Sequence, residues 1–342
     1  MRAIVSQPSP VPASFQESLL AWYDEHKRDL PWRRTRDPYA IWASEIMAQQ
    51  TQVATVIPYW ERWLARFPTV EALAAADEAD VLSMWQGLGY YRRARLFLKG
   101  AQWVVAHGMP NTAEGWKKVP GVGAYTAGAI ASIAFGDPAP LVDGNVERVY
   151  ARLQDDASEG ATLHRSAWAW AEEQMFEERP GDWNQALMEH GATICVPRMP
   201  LCDRCPVADR CLALAHNTHF LRPTPAKRPE TVVMRQAVWV PVFEGRYGMR
   251  QVPKGEWWEG MWEFPRVTLD EEASLEPLVG LGWRQEAGVV RHAVTNHKIE
   301  LRVSLVRCEE PASGLEWFEE SELAALPIPT PQRRALAKVK AL

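Results

Sequence analysis

One stretch, VPGVGAYTAGAIASIAFGDPAPLVDGNVERVYARL from Val119 to Leu153, restricts what this chain can fold into more than any other part of it. Pro120 ends whatever precedes it. Gly121 and Gly123 predict a tight turn at backbone angles other residues avoid, and the Ala-rich apolar run behind them reads as a helix reaching Phe135. Two glycines at a helix start leave backbone N–H groups uncovered at the positive end of the helix dipole, where a phosphate fits. Asp143 then stands just before a second helical run through Val146, Val149, Tyr150 and Leu153, the position of an N-cap. Taken alone, this is a glycine turn followed by a capped helix.

The chain has 342 residues, more than one hydrophobic core normally serves, so two domains are expected. No apolar run approaches the ~18 residues of a membrane span, and the N-terminus lacks a basic start with an apolar stretch behind it. The expectation is a cytoplasmic protein with no membrane partner. Four of the five cysteines fall between Cys195 and Cys211 in the pattern Cys195-x6-Cys202-x2-Cys205-x5-Cys211, which points to metal binding in a reducing compartment rather than to disulfides. Four thiolates in so short a loop suit one zinc or one 4Fe-4S cube, and cysteine ligands alone do not choose between them. The formal net charge of −5 argues mildly against nucleic acid. Charge is local, however: no acidic residue occurs from Val81 to Thr112, and Arg92, Arg93, Arg95 and Lys99 gather on a helix predicted from Arg92 to His107.

The first half reads as helices. Ser14 and Glu17 form a capping-box pattern, and Asp37-Pro38 supplies an N-cap with proline behind it for a helix through Gln50. Glu45 shares a face of that helix with Ile41, Trp42 and Gln49, and apolar flanks raise a carboxyl pKa toward neutrality. Gly87-Leu88-Gly89-Tyr90-Tyr91 brings backbone close to a neighbour and offers a ring able to replace an extruded base in a stack. A helix from Asp182 through Ile194 contains Glu189. Pro223, Pro225 and Pro229, with Lys227 and Arg228, mark a linker at 222–231 between a domain at 1–221 and one at 232–342. The second is smaller and α+β: β-prone runs occupy 232–242, 246–252, 289–292 and 300–307, with helical patterns at 270–280, 321–326 and the C-terminus.

Four phrases carry a resemblance. Ser44-Glu45-Ile46-Met47-Ala48-Gln49-Gln50-Thr51, Val-Pro-Gly-Val-Gly followed by Val-Asp-Gly-Asn-Val, Gly-Leu-Gly-Tyr-Tyr and the cysteine spacing together resemble the MutY-type adenine DNA glycosylases of the endonuclease-III-like helix-hairpin-helix superfamily. Trp257-Trp258-Glu259-Gly260-Met261-Trp262-Glu263-Phe264-Pro265 is similar to a phrase of Nudix-like folds, but no acidic magnesium-binding box follows it. The fold class this resemblance implies is a mainly α helix-hairpin-helix glycosylase domain with an iron-sulfur cluster loop, followed by a smaller α+β Nudix-like domain.

The implied activity is hydrolysis of the N-glycosidic bond of adenine mispaired with 8-oxoguanine or guanine in double-stranded DNA, by a monomer associated with a bacterial nucleoid. Glu45 would be the general acid and Asp143 the carboxylate facing the sugar cation, with Tyr125 and Asn145 holding the geometry. Tyr125 occupies the place of the amine nucleophile in bifunctional relatives, and no Schiff base forms on tyrosine, which makes the activity monofunctional. Trp32, Arg33 and Glu189 would line the adenine pocket, while Gln50, Leu88 and Tyr90 would enter the opened base stack. Gly121 and Gly123 would hold phosphate, and Thr295, Asn296 and His297 would read the lesion. Cys195, Cys202, Cys205 and Cys211 would hold a 4Fe-4S cluster. Two alternatives remain at this point: a mismatch-specific thymine glycosylase of the same superfamily, and a DNA-scanning protein that releases no base.

Overall fold

A computed structural model describes residues 14–225, 230–269 and 282–342. The helical pattern at 270–280 lies outside the described residues, as do 226–229 of the linker. Among the described residues no helix is long and apolar enough to cross a membrane.

The helices are α1 (Phe15–His26), α2 (Pro38–Ala48), α3 (Val53–Arg66), α4 (Val70–Ala74), α5 (Glu78–Met84), α6 (Arg92–His107), α7 (Ala113–Trp116), α8 (Ala124–Ile130), α9 (Gly144–Leu153), α10 (Gly160–Glu173), α11 (Pro180–Thr193), α12 (Leu212–Ala215) and α13 (Thr330–Lys340). The strands are β1 (Val232–Phe243), β2 (Arg246–Gln251), β3 (Trp262–Glu263), β4 (Arg266–Thr268), β5 (Trp283–Val294), β6 (His297–Arg307) and β7 (Glu316–Phe318). Backbone proximity divides the chain into two compact units: Met1–Trp60 with Gly100–Lys227, and Glu61–Lys99 with Arg228–Leu342. The chain thus passes between units inside α3 and α6 as well as beyond residue 225.

In the first unit the capping signals act as the sequence requires. Ser14 Oγ accepts from Glu17 N at 3.1 Å while Glu17 Oε2 accepts from Ser14 N at 2.7 Å. Asp37 accepts from the backbone N–H groups of Tyr39 and Ala40, and every residue of α2 from Tyr39 to Met47 is buried. A helix apolar on all sides belongs in a core, and that placement carries Glu45 inward. The helix after the hairpin ends in a π turn at Ala131–Phe135. Of the two hairpin glycines, only Gly121 (φ +81) has a backbone that favours glycine. Gly123 is the N-cap of α8 at φ −89 and ψ 177, an extended conformation open to any residue, so the expectation of forbidden angles is corrected there.

In the second unit the sheet order is β3-β2-β1-β6-β5, with β4 on β1 and β7 on β2. It is a mixed sheet: β1 runs parallel to β6 from Val232↔His297 to Val242↔Arg307, and its other pairings are antiparallel. Val238, Val240, Val290, Leu301, Val303 and Leu305 bury one face against Leu336 and Val339 of α13. Ala237, Trp239 and Val306 form a smaller core on the other face. The helical pattern at 321–326 is a short 3-10 turn, Glu322–Ala324. Gln86 donates to the carbonyl of Ile328 at 2.8 Å and accepts from Arg333, so the turn after α5 is tied to this sheet unit.

Candidate active site

Burial decides the chemistry of Glu45. Its residue is 8 % exposed, and burial raises the carboxyl to about 7, aided by the charge of Asp143 and opposed by a hydrogen bond from Tyr125. That bond is 2.6 Å from the phenol oxygen to Oε2, and the same hydroxyl lies 3.4 Å from Sδ of Met188. Burial and the two carboxylates hold the Tyr125 phenol well above its usual range, so it stays a donor.

Asp143 is held by its own helix. Oδ1 accepts from the backbone N–H groups of Asn145 at 2.9 Å and Val146 at 2.8 Å, and Oδ2 accepts from Nδ2 of Asn145 at 2.8 Å. Asn145 is fixed in turn: Arg148 Nη2 donates to its Oδ1 at 2.9 Å and to the Gly191 carbonyl at 2.6 Å, while Nε donates to the Cys195 carbonyl at 2.7 Å. Gly191 permits this approach of α11 to α9, because a Cβ there would stand 2.6 Å from that of Asn145.

Opposite them lies a third carboxylate. Glu189, 1 % exposed, accepts from the backbone N, Nε and Nη2 of Arg28 and from Nη2 of Arg33. Burial alone would raise it, but the two guanidiniums pull it down to about 2. Trp32, Arg33, Glu45, Gln50, Tyr125, Asp143, Asn145 and Glu189 all line one open cleft of about 590 Å³. Arg28 and Met188 also line it and were not expected from sequence. Arg28 sits in a polar run after α1, and its partner is 161 positions away. No local pattern announces such a pair.

Gln50 lines the cleft as an exposed residue at φ +55. The remaining expected residues sit elsewhere. Leu88 and Tyr90 belong to the second unit: Leu88 is buried, and Tyr90 is 50 % exposed at φ +49 with the Arg93 guanidinium 5.6 Å from its ring. Gly121 and Gly123 are exposed at the hairpin. Thr295, at φ +53, and Asn296 form the turn between β5 and β6, where the Asn296 amide donates to the Glu230 carbonyl at 2.8 Å. His297 meets the Trp257 ring edge-on at 5.0 Å. The basic helix is largely spoken for: Arg95 donates to Glu78 and to the Glu259 carbonyl, and Arg93 donates to the carbonyls of Leu88 and Gly89. Arg92 and Lys99 are its exposed cations.

The four cysteines line a single enclosed cavity with His190, His219, Val149, Leu153, Ile194 and Leu214. None is in a disulfide. Arg152 Nη1 donates to the Cys195 sulfur at 3.3 Å, and its guanidinium also holds the carbonyls of Val196, Pro197 and Arg222. Burial pushes the Cys205 thiol up to about 12 and raises Cys202 and Cys211, so a cationic centre is what would keep these sulfurs as thiolates. Among the described residues no three His, Cys, Asp or Glu side chains converge on one ion. Four thiolates around one cavity are the donor set of a tetrahedral ion or of a cube that binds each thiolate to a different iron.

Hairpin, cleft and cysteine loop define a class. The model of the HhH-GPD superfamily base excision DNA repair proteins matches residues 43–169, and that of the NUDIX domain matches 237–338. Within that class, the chain belongs to the adenine DNA glycosylase family: it is 31% identical over 267 residues to the enzyme of that name from Buchnera aphidicola subsp. Acyrthosiphon pisum, covering 76% of each chain. It is 41% identical over 299 residues to the adenine DNA glycosylase of Arabidopsis thaliana, with 75% of this chain and 48% of that one aligned, so it spans about half the length of the plant relative. A thermostable thymine-DNA glycosylase of known structure is similar over 59% of this chain and 95% of its own, with 28% identity and a TM-score of 0.54.

Proposed function

We propose that this chain is a monofunctional glycosylase that hydrolyses the N-glycosidic bond of adenine mispaired with 8-oxoguanine or guanine. The observation that carries the proposal is the pairing of a buried Glu45, raised to about 7 and bonded to Tyr125, with Asp143 in one cleft. Adenine would leave the duplex stack, at a few kcal/mol that a mispair makes smaller. Glu45, protonated near neutrality, would pass its proton to the adenine ring and turn it into a neutral leaving group. The sugar left behind resembles an oxocarbenium ion, and the Asp143 carboxylate, fixed by Asn145 and the first turn of α9, would stabilise it until water attacks. Trp32, Arg33 and Glu189 would form the wall against the base, with Arg28 holding Glu189 in place.

The division of labour would follow the expected domains, with 1–221 acting on adenine and 232–342 reading the opposite base through Thr295, Asn296 and His297. Phosphate would lie against the exposed Gly121 and Gly123, and Gln50, Leu88 and Tyr90 would support the opened stack. Cys195, Cys202, Cys205 and Cys211 would hold a 4Fe-4S cluster, whose iron–sulfur bonds, once formed, crosslink the loop.

The test is base release from duplexes carrying A:8-oxoG, A:G, T:G and A:T, with Asp143→Asn alongside. Adenine release from the first two, abolished in the variant while binding persists, is expected. Faster release of thymine from T:G would install the thymine reading instead, and full activity of Asp143→Asn would remove that residue from the mechanism.

A further inference from the structure

Successive residues of α11 serve two different places. Glu189 lines the cleft, and His190, 2 % exposed, lines the cavity of the four cysteines. Its Nε2 lies 3.2 Å from the Cys205 sulfur. A metal-bound thiolate only accepts, so the proton of a neutral imidazole belongs on Nε2 and Nδ1 carries a lone pair. Nδ1 is buried without a hydrogen-bond partner, and a bare lone pair is tolerated there better than a bare N–H. The Trp22 ring meets the imidazole edge-on at 5.7 Å and an interplanar angle of 88°, which limits its rotation.

We propose that His190 is a positioned donor to the Cys205 sulfur and raises the reduction potential of the group the four cysteines hold. The inference rests on the 4Fe-4S reading given above. An electron added to such a cluster increases the negative charge on its sulfurs, and an N–H pointed at one of them stabilises that charge more than it stabilises the oxidised form. The apolar walls of Val149, Leu153, Ile194 and Leu214 leave the effect little screened. His219 lines the same cavity, yet among the described residues it bonds none of the four sulfurs, which makes it the natural control for polarity alone.

The experiment uses the full chain as wild type, His190→Leu, His190→Gln and His219→Leu. Metal content and visible absorption come first: stoichiometric zinc without iron in the wild type defeats the cofactor reading and this proposal with it. With iron present, voltammetry is expected to show a lower potential in His190→Leu, partial recovery in His190→Gln, whose amide keeps an N–H donor, and a much smaller change in His219→Leu. Pulsed magnetic resonance of the reduced protein should show an exchangeable proton coupled to the cluster that His190→Leu loses. Equal potentials in wild type and His190→Leu overturn the proposal, and so do equal shifts in the two leucine variants.

Discussion

The phenol of Tyr125 donates a 2.6 Å hydrogen bond to Oε2 of Glu45, across 80 positions of sequence. It is the largest influence opposing the burial that lifts this carboxyl to about 7. The bond favours the ionised acid, so its removal should raise the pKa further. In Tyr125→Phe the protonated form of Glu45 should persist to higher pH, and the alkaline limb of the single-turnover rate should move upward from its wild-type position near neutrality. A limb at the same pH in both proteins would separate Glu45 from the rate-determining protonation.

The same shift predicts a stability change. A carboxyl at 4.5 in the unfolded chain and about 7 in the fold makes the folded state bind the extra proton. That contribution is fully present below pH 4.5 and is lost as pH rises through about 7. Glu45→Gln has no proton to lose, so relative to wild type it should gain up to about 3 kcal/mol between pH 4.5 and 8. Urea unfolding at both pH values measures it. A difference between the two proteins that is independent of pH would contradict the burial argument.

Local features of this site were legible because their causes are local. Asp143 caps a helix that starts one residue later, and the capping box at Ser14 closes over three positions. The β-prone run of β1, with six consecutive buried residues from Gln236 to Pro241, likewise announces itself. What the sequence did not carry is long-range pairing. The basic cluster on α6 reads as a free face until Glu259 and Glu78 are found around Arg95. Asn296 reads as free to meet a purine until its amide is found on Glu230. Strands as short as Trp262–Glu263 have no room for a period of two. Gly123 reads as a turn requirement, but its backbone is ordinary and a Cβ there would meet nothing within 4 Å.

The ion cluster behind the cleft should respond unequally to its parts. Glu189→Ala leaves Arg33, whose side chain is 11 % exposed, without its carboxylate, a change of the kind that costs about 3–5 kcal/mol. Arg28→Ala removes a side chain that is 41 % exposed, and Glu189 keeps Arg33 and a backbone N–H, so the cost should be about 1 kcal/mol. Chemical denaturation at pH 7 compares them. Equal losses would show that Arg28 is as shielded from water as Arg33.

Two glycines separate packing from ligand approach. A Cβ on Gly191 would stand 2.6 Å from Asn145 Cβ and 3.1 Å from its carbonyl oxygen, so α11 must move away from α9. Overpacking of this sort costs about 1–3 kcal/mol. It also displaces the asparagine that orients Asp143, so Gly191→Ala should lower base excision beyond what its loss of stability explains. Gly123 is the converse case. Its φ is −89 and a Cβ there meets nothing within 4 Å. Gly123→Ala weakens the N-cap slightly while restricting the unfolded chain, and the two nearly offset, leaving stability within about 1 kcal/mol of wild type. If phosphate lies against this turn, the added methyl group should weaken duplex binding several-fold, with excision of already bound substrate little changed. Titration of a labelled duplex and single-turnover rates at saturating protein distinguish the two effects. Unchanged affinity in Gly123→Ala would move the phosphate contact off the hairpin.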